Sequence, residues 1–122
     1  MLLDFEGEPL RPLAERSDPD LPLRDVAGML RSFDYAGRHA TVGRDDPDLA
    51  ARAAAWTAQA RDAFLDGYAA VAGLDPREEG SAAARLLRAL ELDKALYEVV
   101  YEFRNRPDWL PIPLSAVQRL LA

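Results

Sequence analysis

Proline and glycine cut this chain into long helix-periodic stretches, and that punctuation limits what it can fold into. The breaks fall at residues 43–48, at Asp75-Pro76-Arg77-Glu78-Glu79-Gly80 and at Asn105-Arg106-Pro107. Proline has no N–H to continue a helix interior, and glycine accepts the left-handed conformation at a helix end. Between the breaks, apolar residues recur at steps of three, four or seven. Val26, Leu30 and Phe33 do so over 23–42, flanked by Ala27 and Met29. Leu49, Ala53, Trp56, Ala60, Phe64 and Val71 do so from Asp46 to about Gly73. Asp46 is placed to cap that second helix, with Pro47 in its first turn and Asp48 at the positive end of the dipole. Ser81 is placed to cap a third that runs to about Asn105. Beyond Trp109, Leu114, Val117, Leu120 and Leu121 predict a short fourth helix. Gly28 costs the first helix about 1 kcal/mol against alanine, so a close approach of another backbone is expected there.

The N-terminal part reads differently. Residues 1–9 predict a strand and turn, and residues 10–22 hold Pro12, Pro19 and Pro22 among charges, which predicts a loop. A lone strand leaves its N–H and C=O groups unpaired, so Met1-Leu2-Leu3 is expected to pair with something outside this chain. The strand ends on Asp4 and Glu6, two residues apart and therefore on one side of an extended segment. Such oxygen donors suit Mg²⁺, although an edge strand with a solvated acidic turn has the same pattern. The expected fold class is mainly α with a short N-terminal strand, in one domain spanning 1–122.

Composition removes several classes of function. The chain has no cysteine, which excludes a disulfide framework and thiolate metal sites and fits a reducing compartment. Its single histidine excludes a multi-imidazole metal site, and His39 lies where the first helix pattern fades, as a surface histidine near a helix C-terminus does. No apolar run nears the roughly 20 residues of a membrane span, and the first residues do not read as a secretory signal. Cytoplasmic localisation is expected. The net charge is −6 and the arginines are interleaved with acids, so nucleic acid is not an expected partner.

The third helix carries the most pointed pattern. On a wheel of about 100° per residue, Leu92, Leu96, Val99, Val100 and Phe103 share one face, which is expected to be core. Glu91, Lys94, Glu98, Tyr101 and Asn105 share the opposite face, with Tyr97 and Glu102 at its margins. Acids, amides and aromatic rings together suit a sugar, whose hydroxyls need hydrogen bonds and whose ring has an apolar side. The plainer account is a solvated face with Glu91–Lys94 and Lys94–Glu98 as intrahelical ion pairs. Trp109 can stack on a ligand or cap the core, and core packing is the expected role.

Several segments resemble a known family in order. Leu3-Asp4-Phe5-Glu6-Gly7-Glu8-Pro9, Arg11-Pro12-Leu13-Ala14-Glu15-Arg16 and Pro22-Leu23-Arg24-Asp25-Val26-Ala27-Gly28-Met29-Leu30-Arg31-Ser32-Phe33 resemble the C-terminal part of maltokinases. So does Glu91-Leu92-Asp93-Lys94-Ala95-Leu96-Tyr97-Glu98-Val99-Val100-Tyr101-Glu102, followed by Asn105-Arg106-Pro107-Asp108-Trp109. The resemblance implies the helical C-terminal lobe of a protein-kinase-like, aminoglycoside-phosphotransferase-like fold. It implies a parent reaction in which ATP and Mg²⁺ convert maltose to maltose 1-phosphate. Asp4 resembles the metal-holding aspartate after the catalytic loop, with Glu6 assisting it. Asp25 resembles an aspartate that braces that loop. The region from Glu91 to Trp109 resembles the acceptor-sugar region, with Glu98 and Tyr101 as leading contacts, then Lys94 and Glu91.

The nucleotide-binding lobe and the catalytic loop of such kinases do not occur in the sequence, so no catalytic base is assigned. They are expected upstream of Met1, and the chain alone is expected not to turn over. The partners implied are a sugar, the missing N-terminal kinase portion and, in some relatives, a fused trehalose synthase. A glucosamine or other sugar kinase is the near alternative. A helical module that binds a protein and does no chemistry is the distant one.

Overall fold

The computed structural model describes residues 22–122. Among them lie four α-helices: α1 (Leu23–His39), α2 (Pro47–Ala72), α3 (Ala82–Asn105) and α4 (Pro111–Leu121). A 3₁₀ turn over Pro107–Trp109 leads into α4. The mainly helical class expected from the sequence is found. The expected strand, with Asp4 and Glu6, lies outside the described residues.

The helix ends follow from local chemistry. The Asp46 carboxylate accepts from the N–H groups of Asp48 and Leu49 at 3.0 and 3.3 Å, and Pro47 begins α2 where a missing N–H costs nothing. Gly73 ends α2 at φ 78°, with its N–H returned to the Ala69 carbonyl. Ser81 Oγ accepts from Ala84 N–H at 3.0 Å and starts α3. The fourth helix begins three residues earlier than its apolar pattern, at Pro111, because prolines are tolerated in a first helical turn. The first helix ends at His39 rather than 42. Thr41 and Val42 instead turn back, both N–H groups reaching the Arg38 carbonyl.

The helices pack in the order α2, α1, α3, α4. Val26, Ala27 and Leu30 of α1 bury against Leu65 of α2 and Leu87 of α3. Ala95 of α3 buries against Ala116 and Leu120 of α4, with Leu92 and Val117 at the margin. Phe33 sets its ring edgewise to Trp56 and Phe64, at 6.4 and 5.9 Å between centroids. The α2 stripe read from sequence holds in its middle and fails at Val71, which is 82% exposed. The 26 residues of α2 rise about 39 Å and the 17 of α1 about 25 Å, so α2 outruns its partner. Within the described residues, no helix is long and apolar enough to cross a membrane.

Two packing expectations are corrected. The apolar face of α3 is core only in part: Leu92 packs on the core and Val99 is half-buried, but Leu96 and Val100 are each 48% exposed and Phe103 is 68% exposed. The helix lies between two others. It meets α4 through Leu92 and Ala95 and meets α1 through its polar stripe, which leaves Leu96, Val100 and Phe103 facing outward. A wheel reports polarity and carries no information on where the neighbours are.

The close approach expected at Gly28 occurs at Gly37 instead. A Cβ at Gly28 would meet only the stem of Lys94, at 4.0 Å. A Cβ at Gly37 would collide with Thr57 Oγ1 and lie 3.3 Å from the Ala53 carbonyl oxygen. Thr57 Oγ1 is itself held to that carbonyl at 2.9 Å. Gly37→Ala is expected to lower stability by about 1–3 kcal/mol through overpacking, despite alanine's better helix propensity. Adding Thr57→Ala should recover most of that loss in urea unfolding; an unchanged midpoint in the single variant would contradict the close contact.

Candidate functional site

A groove of about 420 Å³ runs between α1 and α3. One face of α1 supplies Gly28, Arg31, Ser32 and Tyr35, spaced i, i+3, i+4 and i+7. The facing stripe of α3 supplies Lys94, Tyr97, Glu98, Tyr101 and Glu102, and Arg106 closes one end. A Cβ at Gly28 would touch the Lys94 stem only at ordinary contact distance, so the groove does not require a glycine there.

Charged groups fix the walls. Arg31 is 1% exposed. Its Nε donates to Glu98 Oε1 at 2.9 Å and its Nη1 to Asp34 Oδ2. Its Nη2 is buried with no partner, an unmet donor at the groove wall. Tyr35 donates its phenol proton to Glu102 Oε2 at 2.7 Å. Arg106 grips both Glu102 oxygens, from Nε at 2.9 Å and Nη2 at 2.8 Å. Its guanidinium also lies 4.2 Å from the Trp109 ring centroid. Trp109 further stacks on Tyr35 and touches His39, so it braces the end of the groove and does not line it.

This setting shifts several acidities. Burial pushes the Glu98 carboxyl above the ordinary carboxylate range, against the pull of Arg31 and, more weakly, Lys94. Burial alone would lower the Arg31 guanidinium, yet Glu98 and Asp34 together hold it above its usual value. Burial and the bond to Glu102 raise the Tyr35 phenol, which keeps its proton. Glu102 holds Arg106 above its usual value.

What remains free is informative. Among the described residues, Glu98 Oε2, Lys94 Nζ and the Tyr97 and Tyr101 hydroxyls take no hydrogen bond or ion pair. The groove therefore offers an acceptor with negative charge, a compact cation and two phenols on one wall. The Lys94–Glu98 and Glu91–Lys94 ion pairs of a plain solvated face are not formed. Among the described residues, no group of three or more acidic, histidine or cysteine side chains is arranged to hold a metal.

The residues singled out from sequence separate into three sets. Lys94, Glu98 and Tyr101 share the groove. Glu91 does not; it is 3% exposed and bonded through both oxygens to Arg61 of α2, at 3.0 and 3.1 Å. Asp25 lies in the first turn of α1, away from the groove. Asp4 and Glu6 lie outside the described residues. Sequence reading missed Arg31, Tyr35 and Arg106 as parts of the site and placed Glu102 only at the margin of the α3 stripe. The signal for two of them was the polar i, i+3, i+4, i+7 set on α1, passed over because that helix was read by its apolar residues.

No family model matches the chain. The chain is 33% identical over 121 residues to a glucosamine kinase of Streptacidiphilus jiangxiensis, covering 98% of this chain and 27% of that protein. It is also 33% identical over 123 residues to a glucosamine kinase of Mycolicibacterium smegmatis, covering 99% of this chain and 30% of that protein. The chain thus spans between a quarter and a third of the curated relatives it matches, and over nearly all of its own length it is a distant homologue of proteins named as sugar kinases.

Proposed function

We propose that the chain is the acceptor-side helical portion of an ATP-dependent sugar kinase, and that the α1–α3 groove holds the sugar. The observation that carries this reading is the free Glu98 oxygen beside Lys94, Tyr97 and Tyr101, in a segment similar to glucosamine kinases. An amino sugar fits this set better than maltose does. A partly desolvated carboxylate favours an ammonium group over a neutral hydroxyl, since charge-assisted hydrogen bonds are roughly twice as strong as neutral ones. Lys94 and the phenols are left for the sugar hydroxyls, and the tyrosine rings for its apolar side.

ATP and Mg²⁺ belong to this proposal as the phosphate donor and its metal. Asp4, with Glu6, is the candidate to hold the metal, and Asp25 to brace the neighbouring loop. A chimera tests the reading: this chain replaces the matching segment of the Streptacidiphilus jiangxiensis glucosamine kinase. The chimera is expected to phosphorylate glucosamine at a kcat/KM at least about tenfold above that for maltose, a difference of about 1.4 kcal/mol. Asp4→Asn in the chimera is expected to lower kcat by about a hundredfold or more with the helical content unchanged. A folded chimera that prefers maltose would reject the amino sugar, and full activity of the Asp4 variant would remove Asp4 from the metal site.

One observation favours a second reading, a helical module that binds a protein and does no chemistry: the outward apolar face of Leu96, Val100 and Phe103. That reading predicts no response of the groove to sugars.

A further inference from the structure

Along the sequence the arginines alternate with acids, in a chain of net charge −6. In space, five of the 15 basic residues gather around one cleft of about 550 Å³. Arg61 comes from α2, Arg77 from the α2–α3 connection, Arg85 and Arg88 from the start of α3, and Arg119 from α4. Two carboxylates, Glu79 and Glu91, share the lining.

The arginines are not equally engaged. Glu91 is engaged by Arg61 through both oxygens. Arg77 is engaged by Asp75 and Asp66, each at 2.8 Å. Arg85 and Arg88 donate only to main-chain oxygens, of Gly80 at 2.9 Å and Ala122 at 3.0 Å, and form no ion pair among the described residues. Arg119 reaches Asp34 and Glu91 at 3.4 and 3.7 Å, and both acids are already held by nearer arginines. Arg85 and Arg88 thus line the cleft without a side-chain acid, Arg119 is held only by longer contacts, and the remaining carboxylate, Glu79, is exposed. The floor is apolar, made of Pro76, Leu87 and Leu120, all buried.

We propose that this cleft binds a small organic phosphate monoester in its dianionic form. Guanidinium forks match phosphate oxygens in pairs, and among the described residues Arg85 and Arg88 carry no side-chain acid that a phosphate would have to displace. The apolar floor suits a carbon skeleton, and the volume of the open cleft suits a small molecule. The cleft and the α1–α3 groove share no lining residue, so the proposal stands apart from the kinase reading.

The test is an NMR titration of the full 122-residue chain with glucose 6-phosphate, inorganic phosphate and glucose. Glucose 6-phosphate is expected to shift the resonances of Ala84, Arg85, Arg88 and Arg119, and glucose to leave them unmoved. Affinity is expected to rise from about pH 5.5 to about pH 7.5, as the second phosphate proton leaves near pH 6. Arg85 and Arg88 are exposed, so Arg85→Gln with Arg88→Gln is expected to keep the circular dichroism of the wild type and to bind at least about tenfold more weakly. Arg44→Gln with Arg52→Gln, at exposed sites elsewhere, is expected to bind like the wild type. Inorganic phosphate binding as tightly as the ester would overturn the organic skeleton. Absence of cleft shifts with glucose 6-phosphate, or equal weakening by both variant pairs, would overturn the site. So would preference for a single-stranded oligonucleotide over the ester.

Discussion

Arg31→Met is expected to destabilise the chain by about 3–5 kcal/mol, because it leaves two buried carboxylates without their cation. The Arg31 side chain is 1% exposed, and its partners Asp34 and Glu98 are 9% and 14% exposed. Asp34 would keep only longer contacts, to Arg119 at 3.4 Å and Arg61 at 3.8 Å. At about 4–8 °C per kcal/mol for a domain near this size, the melting temperature should fall by about 12 °C or more. The loss comes from the orphaned charges more than from missing attraction. Adding Asp34→Asn and Glu98→Gln to the same variant should therefore recover part of it, since neutralising a whole buried network is far cheaper than removing one partner. Urea unfolding followed by circular dichroism reads both variants. A single variant within about 1 kcal/mol of the wild type would mean that the network does not hold α1 to α3.

Glu98→Gln is expected to weaken amino-sugar binding by about ten- to a hundredfold and binding of a neutral sugar far less. The pH dependence follows from the raised acidity constant. Ionised Glu98 is what holds an ammonium group, so binding by the wild type should fall as pH drops through a value above the usual 4.3 or so of a glutamate. That acid limb should vanish in the glutamine variant. Stability has the opposite sign. Because burial raises the folded-state value, the contribution of Glu98 is fully present below the unfolded value and is lost as pH rises through the folded one. At neutral pH the glutamine variant should therefore keep its fold. Calorimetric titration with glucosamine and with glucose, over a range of pH, checks both statements; equal weakening for the two sugars would deny Glu98 the amino group.

The helices were legible in the sequence because their ends are local chemistry. Asp46-Pro47, Ser81 and Gly73 act on their own turns, with no help from distant parts of the chain. The faces of α3 were legible only in part. Its polar stripe was identified, but its apolar stripe was assigned to the core, and Leu96, Val100 and Phe103 lie outside it. Which stripe is buried depends on the neighbours, and here ion pairs from α1 replace apolar packing. Glu91 and Glu98 share a wheel position and still part company. Seven residues separate them by about 10 Å along the axis, far enough for one to meet Arg61 and the other Arg31. The arginine cleft was invisible for the same reason, since its members come from α2, α3, α4 and a connection.

The most direct test of the sugar-site reading is a titration of the isotope-labelled chain with glucosamine, read residue by residue. The account predicts shifts confined to Gly28, Ser32, Lys94, Glu98 and Tyr101, saturating together and lost in Glu98→Gln. Shifts absent from that groove, or centred instead on Thr57 and Ser115 beside α4, would contradict it.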